Sequence, residues 1–263
     1  MGRKKRAVSS SGIYHVISRG NGKQYIFHDD QDYSVFKNYL SSALNLSEMC
    51  ILSYCLMGNH LHLLVHTEDI GELSGVMHYS LGRYAGYYNV KYERVGSLFA
   101  SRFKSIPVVC GAYFFCVVKY IHNNPVKDGL VGKMEDYRWS SYGEILGGRA
   151  KTLVNSRALM AYYGDVATRQ RESFAYHHHA PSLIPDELIE DYPLTEVEQV
   201  KVFGGAYDLK ALSRAKSMGP DERDKVILDL KYDAKLSNKA IERLTGISVV
   251  IIKRVCLKFA RNI

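Results

Sequence analysis

Leu56-Met57-Gly58-Asn59-His60-Leu61-His62-Leu63-Leu64-Val65 is the stretch from which the rest of the chain can be read. In a β-strand alternate side chains share a face, so His60 and His62 point one way and Leu61, Leu63 and Val65 the other. Two imidazoles on one face are a metal-ligand pattern. The same spacing also suits a half-buried strand whose histidines meet solvent and neighbouring carbonyls. A pair alone is not a site, so further ligands have to come from elsewhere in the chain.

Working outward, alternation and turn residues predict strands over 12–19, 49–56, 60–66 and 103–109, and helices over 30–47, 71–91 and 111–124. The order β-α-β-β-α-β followed by a helix is the ferredoxin-like arrangement, an α+β fold with an antiparallel sheet backed by helices and the histidine strand near its centre. The helix ends in Lys119-Tyr120-Ile121-His122-Asn123-Asn124-Pro125. Tyr120 and Asn124 lie one turn apart on one face, and Pro125 is expected to stop the helix at Asn124. A phenol beside an amide oxygen can attack phosphorus when a divalent ion held by the two histidines and the amide activates the phosphate. With 20 tyrosines in the chain, an aromatic helix packed into the core is the competing reading.

Several ordered blocks between residues 12 and 146 carry a family resemblance: Tyr14-His15-Val16-Ile17-Ser18-Arg19-Gly20-Asn21, Ile26-Phe27 with Asp29-Asp30, Met57-Gly58-Asn59-His60-Leu61-His62, Gly96-Ser97-Leu98-Phe99 with Arg102-Phe103-Lys104, Tyr120-Ile121 with Asn124-Pro125-Val126, and Trp139-Ser140-Ser141-Tyr142. At these blocks the chain resembles the single-tyrosine (Y1) transposases of the HUH class. More narrowly, it resembles the REP-associated tyrosine transposases, relatives of the IS200-type enzymes. The resemblance implies Tyr120 as nucleophile and His60, His62 and Asn124 as metal ligands, with asparagine where the IS200 branch usually has glutamine. It implies cleavage of single-stranded DNA through a 5′-phosphotyrosine, resealing by a 3′-hydroxyl, and Mg²⁺ or Mn²⁺ rather than zinc as cofactor. It further implies hairpin DNA from REP-like palindromes as substrate and a homodimer as a possible assembly.

Arg19, Lys23, Arg102 and Lys104 are the candidate DNA guides in this domain. Arg102 and Lys104 flank Phe103, so two cations face a phosphate track while the ring packs inward, or else simply meet solvent. Tyr79, Tyr84, Tyr87 and Tyr88 on the second helix either stack on bases or cover the sheet. The domain is read as 1–146, followed by a connector with short helices over 147–195, in which His177, His178 and His179 read as a solvated linker.

Residues 196–263 read as helical. Pro220-Asp221-Glu222 starts a helix, and Ser237 to Ser248, with Gly246 as the turn, reads as a helix-turn-helix similar to the duplex-binding domain of DnaA-type initiators. The second helix opens Val249-Val250-Ile251-Ile252 and offers the cations Lys253 and Arg254, which suit phosphates better than bases. A helical protein interface is the alternative.

The net charge of +8 and pI near 9.1 accord with a polyanionic partner, and equally with solubility alone. Five cysteines without a Cys-x-x-Cys indicate neither disulfide framework nor zinc knuckle, and fit a reducing cytoplasm. The basic start, Arg3-Lys4-Lys5-Arg6, lacks a following apolar run and reads as a flexible arm. The longest apolar run, 108–118, is too short to span a membrane, and no phosphate-binding loop is present. Two other functions fit the same residues: a non-catalytic hairpin-binding regulator, and a metal-dependent nuclease in which the histidines activate water.

Overall fold

The computed structural model describes residues 6–109, 111–147, 153–164, 166–180, 182, 184, 186–190, 193–203, 212, 214–233 and 236–260. The chain forms two compact units: Met1–Val108 with Val117–His179, and Val109–Cys116 with Ala180–Ile263.

The first unit is built on four antiparallel strands, β1 (Ile13–Arg19), β2 (Cys50–Leu56), β3 (His60–His66) and β4 (Lys104–Pro107), in the order β2-β3-β1-β4. With α1 (Asp30–Leu44) after β1 and α2 (Ile70–Lys91) after β3, this is the ferredoxin-like order, and the histidine strand is central. The β2–β3 hairpin closes through Met57, whose N–H donates to the His60 carbonyl at 2.8 Å. β3 is buried along its length except for His66, so it is not the half-buried strand of the alternative reading. Helices on both faces explain this.

α1 and α2 cover the face bearing Leu61, Leu63 and Val65. Asp29 and Asp32 form a capping box at the start of α1. Phe36 packs edge-on to Tyr84 at 5.5 Å, and Lys37 donates to the Tyr54 hydroxyl at 2.8 Å and to Glu144 at 2.9 Å. Tyr84 and Tyr88 are buried, so these two tyrosines of α2 pack in the core, whereas Tyr79 is exposed.

The opposite face bears His60 and His62, and α3 (Ala112–Lys127) supplies Tyr120 against it. α3 does not stop at Asn124. It carries Pro125 in its last turn, where the missing N–H costs one bond near the helix end, and Asp128 still donates to the Asn124 carbonyl at 3.0 Å. β4 is shorter than the expected 103–109, and Arg102 lies ahead of it in both. Of the basic start only Arg6 is described; it is tied down, its guanidinium 3.6 Å from the Phe103 ring centroid and donating to the Phe103 carbonyl at 2.8 Å.

After α4 (Tyr142–Gly147), Val154 bridges to Ile51 of β2, and α5 (Ser156–Met160) and α6 (Ala167–His179) follow within the same unit. The stretch read as a connector is therefore shared between the units, changing hands at His179. The histidine triplet is not a solvated linker: it ends α6, and His178 is buried.

The second unit contains α7 (Glu196–Phe203), α8 (Pro220–Leu228), α9 (Asn238–Thr245) and α10 (Val249–Ala260). Ser237 caps α9 by accepting from the Ala240 N–H, and Gly246 ends it at φ 69° in the left-handed region. Ile241, Leu244, Ile252 and Val255 are buried, while Val250, Lys253 and Arg254 are exposed. Among the described residues no helix is long and apolar enough to cross a membrane.

Candidate active site

Strand register builds the site. His62 pairs with Ile17 and His60 with Arg19 across β1 and β3, so His15 lies diagonally from His62 on the same face. The two rings meet, His15 Nε2 lying 2.9 Å from His62 Nδ1 with both side chains fully buried. His60 Nδ1 lies 2.6 Å from Asn59 Oδ1. An amide oxygen only accepts, so the N–H of His60 sits on Nδ1 and leaves Nε2 as the ring's acceptor.

From above, Tyr120 approaches edge-on, its ring centroid 5.5 Å from that of His62 and 6.1 Å from that of His15. Asn124, one turn on, donates its amide N–H to the Tyr120 carbonyl at 2.8 Å. That anchors the amide nitrogen, and the Asn124 side chain also reaches the His60 ring. Lys127 follows, its ammonium 5.7 Å from the Tyr120 ring centroid.

Burial keeps both ligand candidates neutral. It pushes His60 down to about 4, assisted by Arg19 and opposed by Asp128 and Asn124. Burial also holds His62 well below its ordinary value, reinforced by His15, His60, Arg19 and Lys127. Neutral imidazole is the metal-binding form.

A divalent ion fits this donor set. Two neutral imidazoles and the side-chain amide of Asn124 are nitrogen and oxygen donors of the kind a divalent ion accepts. The Nδ1 contacts to Asn59 and His15 supply the outer hydrogen bonds that orient metal-binding histidines. No cluster of three or more His, Cys, Asp or Glu arranged for a metal occurs among the described residues.

The structure thus brings Tyr120, His60, His62, Asn124 and Arg19 together. Lys104 pairs with Ile17 and so projects from the same sheet face on the edge strand. Lys23 is exposed at φ 62° in the turn after β1. Arg102 instead lines a groove with Arg6 and α2 residues, away from the histidines. Lys253 and Arg254 belong to the second unit. Sequence reasoning missed His15, Asn59, Asp128 and Lys127; a polar residue interrupting the apolar run Ile13–Ile17, and the asparagine preceding His60, were the available signals.

α3 is braced from behind by a buried relay. His178 Nδ1 donates to the Phe174 carbonyl at 2.8 Å, so its Nε2 accepts from His122 Nδ1 at 2.8 Å. His122 Nε2 then accepts from the Ser141 hydroxyl at 2.7 Å, and Ser141 Oγ accepts the Tyr54 N–H at 2.9 Å. One carbonyl sets the tautomer of both rings.

Residues 8–124 match the family model of the IS200-like transposases. A solved structure described as the REP-associated tyrosine transposase bound to a REP hairpin aligns with a TM-score of 0.45 and 14% identity, over 58% of this chain and 90% of that one. No protein of curated function matches the chain.

Proposed function

Starting from residues 8–124 as an IS200-like transposase segment, we propose that the protein cleaves and rejoins single-stranded DNA at hairpin-forming sites. Tyr120 Oη attacks the scissile phosphorus; the new O–P bond replaces the bond to the 3′-oxygen, which leaves with a proton as a 3′-hydroxyl. The DNA is then held as a 5′-phosphotyrosine, and attack by another 3′-hydroxyl reverses the step and reseals a strand. Bond energy is kept in the covalent link, so no nucleotide cofactor is required.

His60, His62 and Asn124 are the residues that would hold a divalent ion, Mg²⁺ or Mn²⁺, whose chemistry when bound is polarisation of the phosphate. Arg19 lies where it can neutralise the attacked phosphate, and Lys127 stands over the Tyr120 ring. Lys23, Lys104 and Arg102 guide the strand. In this reading 1–146 is the catalytic domain, 147–195 the connector, and 196–263 a helix-turn-helix-like domain gripping phosphates through Lys253 and Arg254. The protein acts in the cytoplasm, and a second copy of the chain is an admitted partner.

The observation that supports the chemistry best is the approach of Tyr120 to His62 with Asn124 one turn on, all within one unit. The test is incubation with labelled hairpin DNA from the flanks of the gene, with Mn²⁺ or with EDTA. A denaturation-resistant adduct that needs the metal and vanishes in Tyr120→Phe supports the reading. Metal-dependent cutting without adduct overturns it in favour of water-activating nuclease chemistry, and binding without cutting in favour of a hairpin-binding regulator.

A further inference from the structure

Beside the histidine strand lies a cavity of about 690 Å³ that the strand-cleavage chemistry does not use. Its size falls in the small-ligand range of about 300–1,000 Å³. It begins at Asn59, the residue bonded to His60, and is walled by Phe27, Tyr33 and Trp139, with Tyr25 and Asp128 at its margin. We propose that this cavity receives one unpaired nucleobase of the strand whose phosphate is attacked at Tyr120. The proposal rests on the strand-cleavage reading for its choice of ligand.

The walls are prepared for a flat aromatic ligand. Phe27 and Tyr33 stack at 4.5 Å and 22°, Tyr33 and Trp139 at 4.3 Å and 7°, and the Arg138 guanidinium caps Trp139 at 4.5 Å. Arg138 is itself held by Asp30 at 2.5 Å. This four-layer stack fixes the ring positions before any ligand arrives. Tyr25 is 62% exposed, so one face of its ring is open to stack on a base. Its ring is seated on Gly58, where a Cβ would come within 2.7 Å of the ring, so glycine is what lets it lie flat.

Asn59 and Asp128 are among the polar residues that line the cavity, with His28 and Tyr137. Asn59 spends its amide oxygen on His60, leaving its N–H₂ as donor. The Asp128 carboxylate only accepts. A donor and an acceptor lining one cavity can read a base edge, and the acceptor favours bases with an exocyclic amino group (adenine, cytosine, guanine) over thymine. The Asp128 charge also reaches His60, which puts this edge next to the reacting centre.

Trp139 is the chain's single tryptophan, so its fluorescence reports on this cavity. The test titrates the full-length protein with pentanucleotides of deoxyadenosine, of deoxycytidine and of thymidine, and with an abasic pentamer of equal charge. The expected result is saturable quenching by the first two, weaker quenching by the thymidine pentamer and none by the abasic one. Tyr25→Ala, at an exposed position that spares the fold, should weaken the quenching titration about tenfold. Asp128→Asn should narrow the gap between thymidine and the other pentamers. Equal quenching by the abasic pentamer, or an unchanged titration in Tyr25→Ala, overturns the proposal. Quenching without any hairpin adduct keeps the base site while sinking the tyrosine chemistry; an adduct without quenching does the reverse.

Discussion

Replacing His178 by leucine should flatten the acid side of the stability profile of the first unit. Burial pushes His178 down to about 4, with Lys119, His177 and His179 acting in the same direction against the Phe174 carbonyl. An unfolded histidine titrates near 6.5. Between these values the unfolded chain binds the extra proton and the folded chain does not, so unfolding free energy falls as pH falls through this window. At about 1.4 kcal/mol per pH unit over roughly 2.5 units, the loss from this one group approaches about 3 kcal/mol by pH 4. The variant removes that slope. It also strips His122 Nδ1 of its acceptor, which costs about 1–3 kcal/mol at neutral pH. The two profiles should therefore start apart at pH 7 and converge towards pH 4. The assay is urea unfolding at several pH values, followed by Trp139, which lies in the same unit. Parallel profiles from pH 7 to 4 would refute the buried neutral relay.

Three further outcomes follow from named contacts. Asp32 is fully buried and accepts from the His28 N–H, the Tyr92 hydroxyl and Lys91, each at 2.8 Å, so Asp32→Ala should cost the first unit about 3 kcal/mol in urea unfolding. His15→Phe keeps a ring on the sheet but removes the group that orients His62; Mn²⁺ affinity, read by water-proton relaxation, should weaken about 10- to 100-fold, and an unchanged affinity would deny His15 this role. Ser237→Ala removes the cap of α9 at 3.1 Å and should destabilise that helix by about 1 kcal/mol, visible as faster amide exchange over Ala240–Thr245.

The ferredoxin-like order was legible because strand-like and helix-like stretches succeed one another along residues 12–124, most plainly in the alternation of His60-Leu61-His62-Leu63. The pairing of Tyr120 with Asn124 was legible for the same local reason, since helical spacing puts i and i+4 on one face. What stayed hidden depends on partners distant in sequence. His15 reads as a polar interruption of an apolar strand until the β1–β3 register sets it diagonally from His62. Burial of the histidine face follows from α3 packing there, which alternation within β3 does not encode. Pro125 looks like a stop, yet near a helix end it sacrifices only one bond. The histidine triplet looked solvated because three consecutive residues cannot share one target; in α6 only the middle one turns inward, towards His122. Arg102 and Lys104 seemed paired by alternation, but the strand begins at Lys104 and leaves Arg102 beside Arg6 instead.

The central claim is that one tyrosine among 20 becomes covalently joined to DNA. Peptide mapping of the adduct formed with hairpin DNA and Mn²⁺ tests it most directly. The expected result is a single DNA-linked peptide containing Tyr120, with the phosphate at the 5′ end of the downstream fragment. A linkage to any other tyrosine, or free 5′-phosphate ends with no linked peptide, would contradict the account.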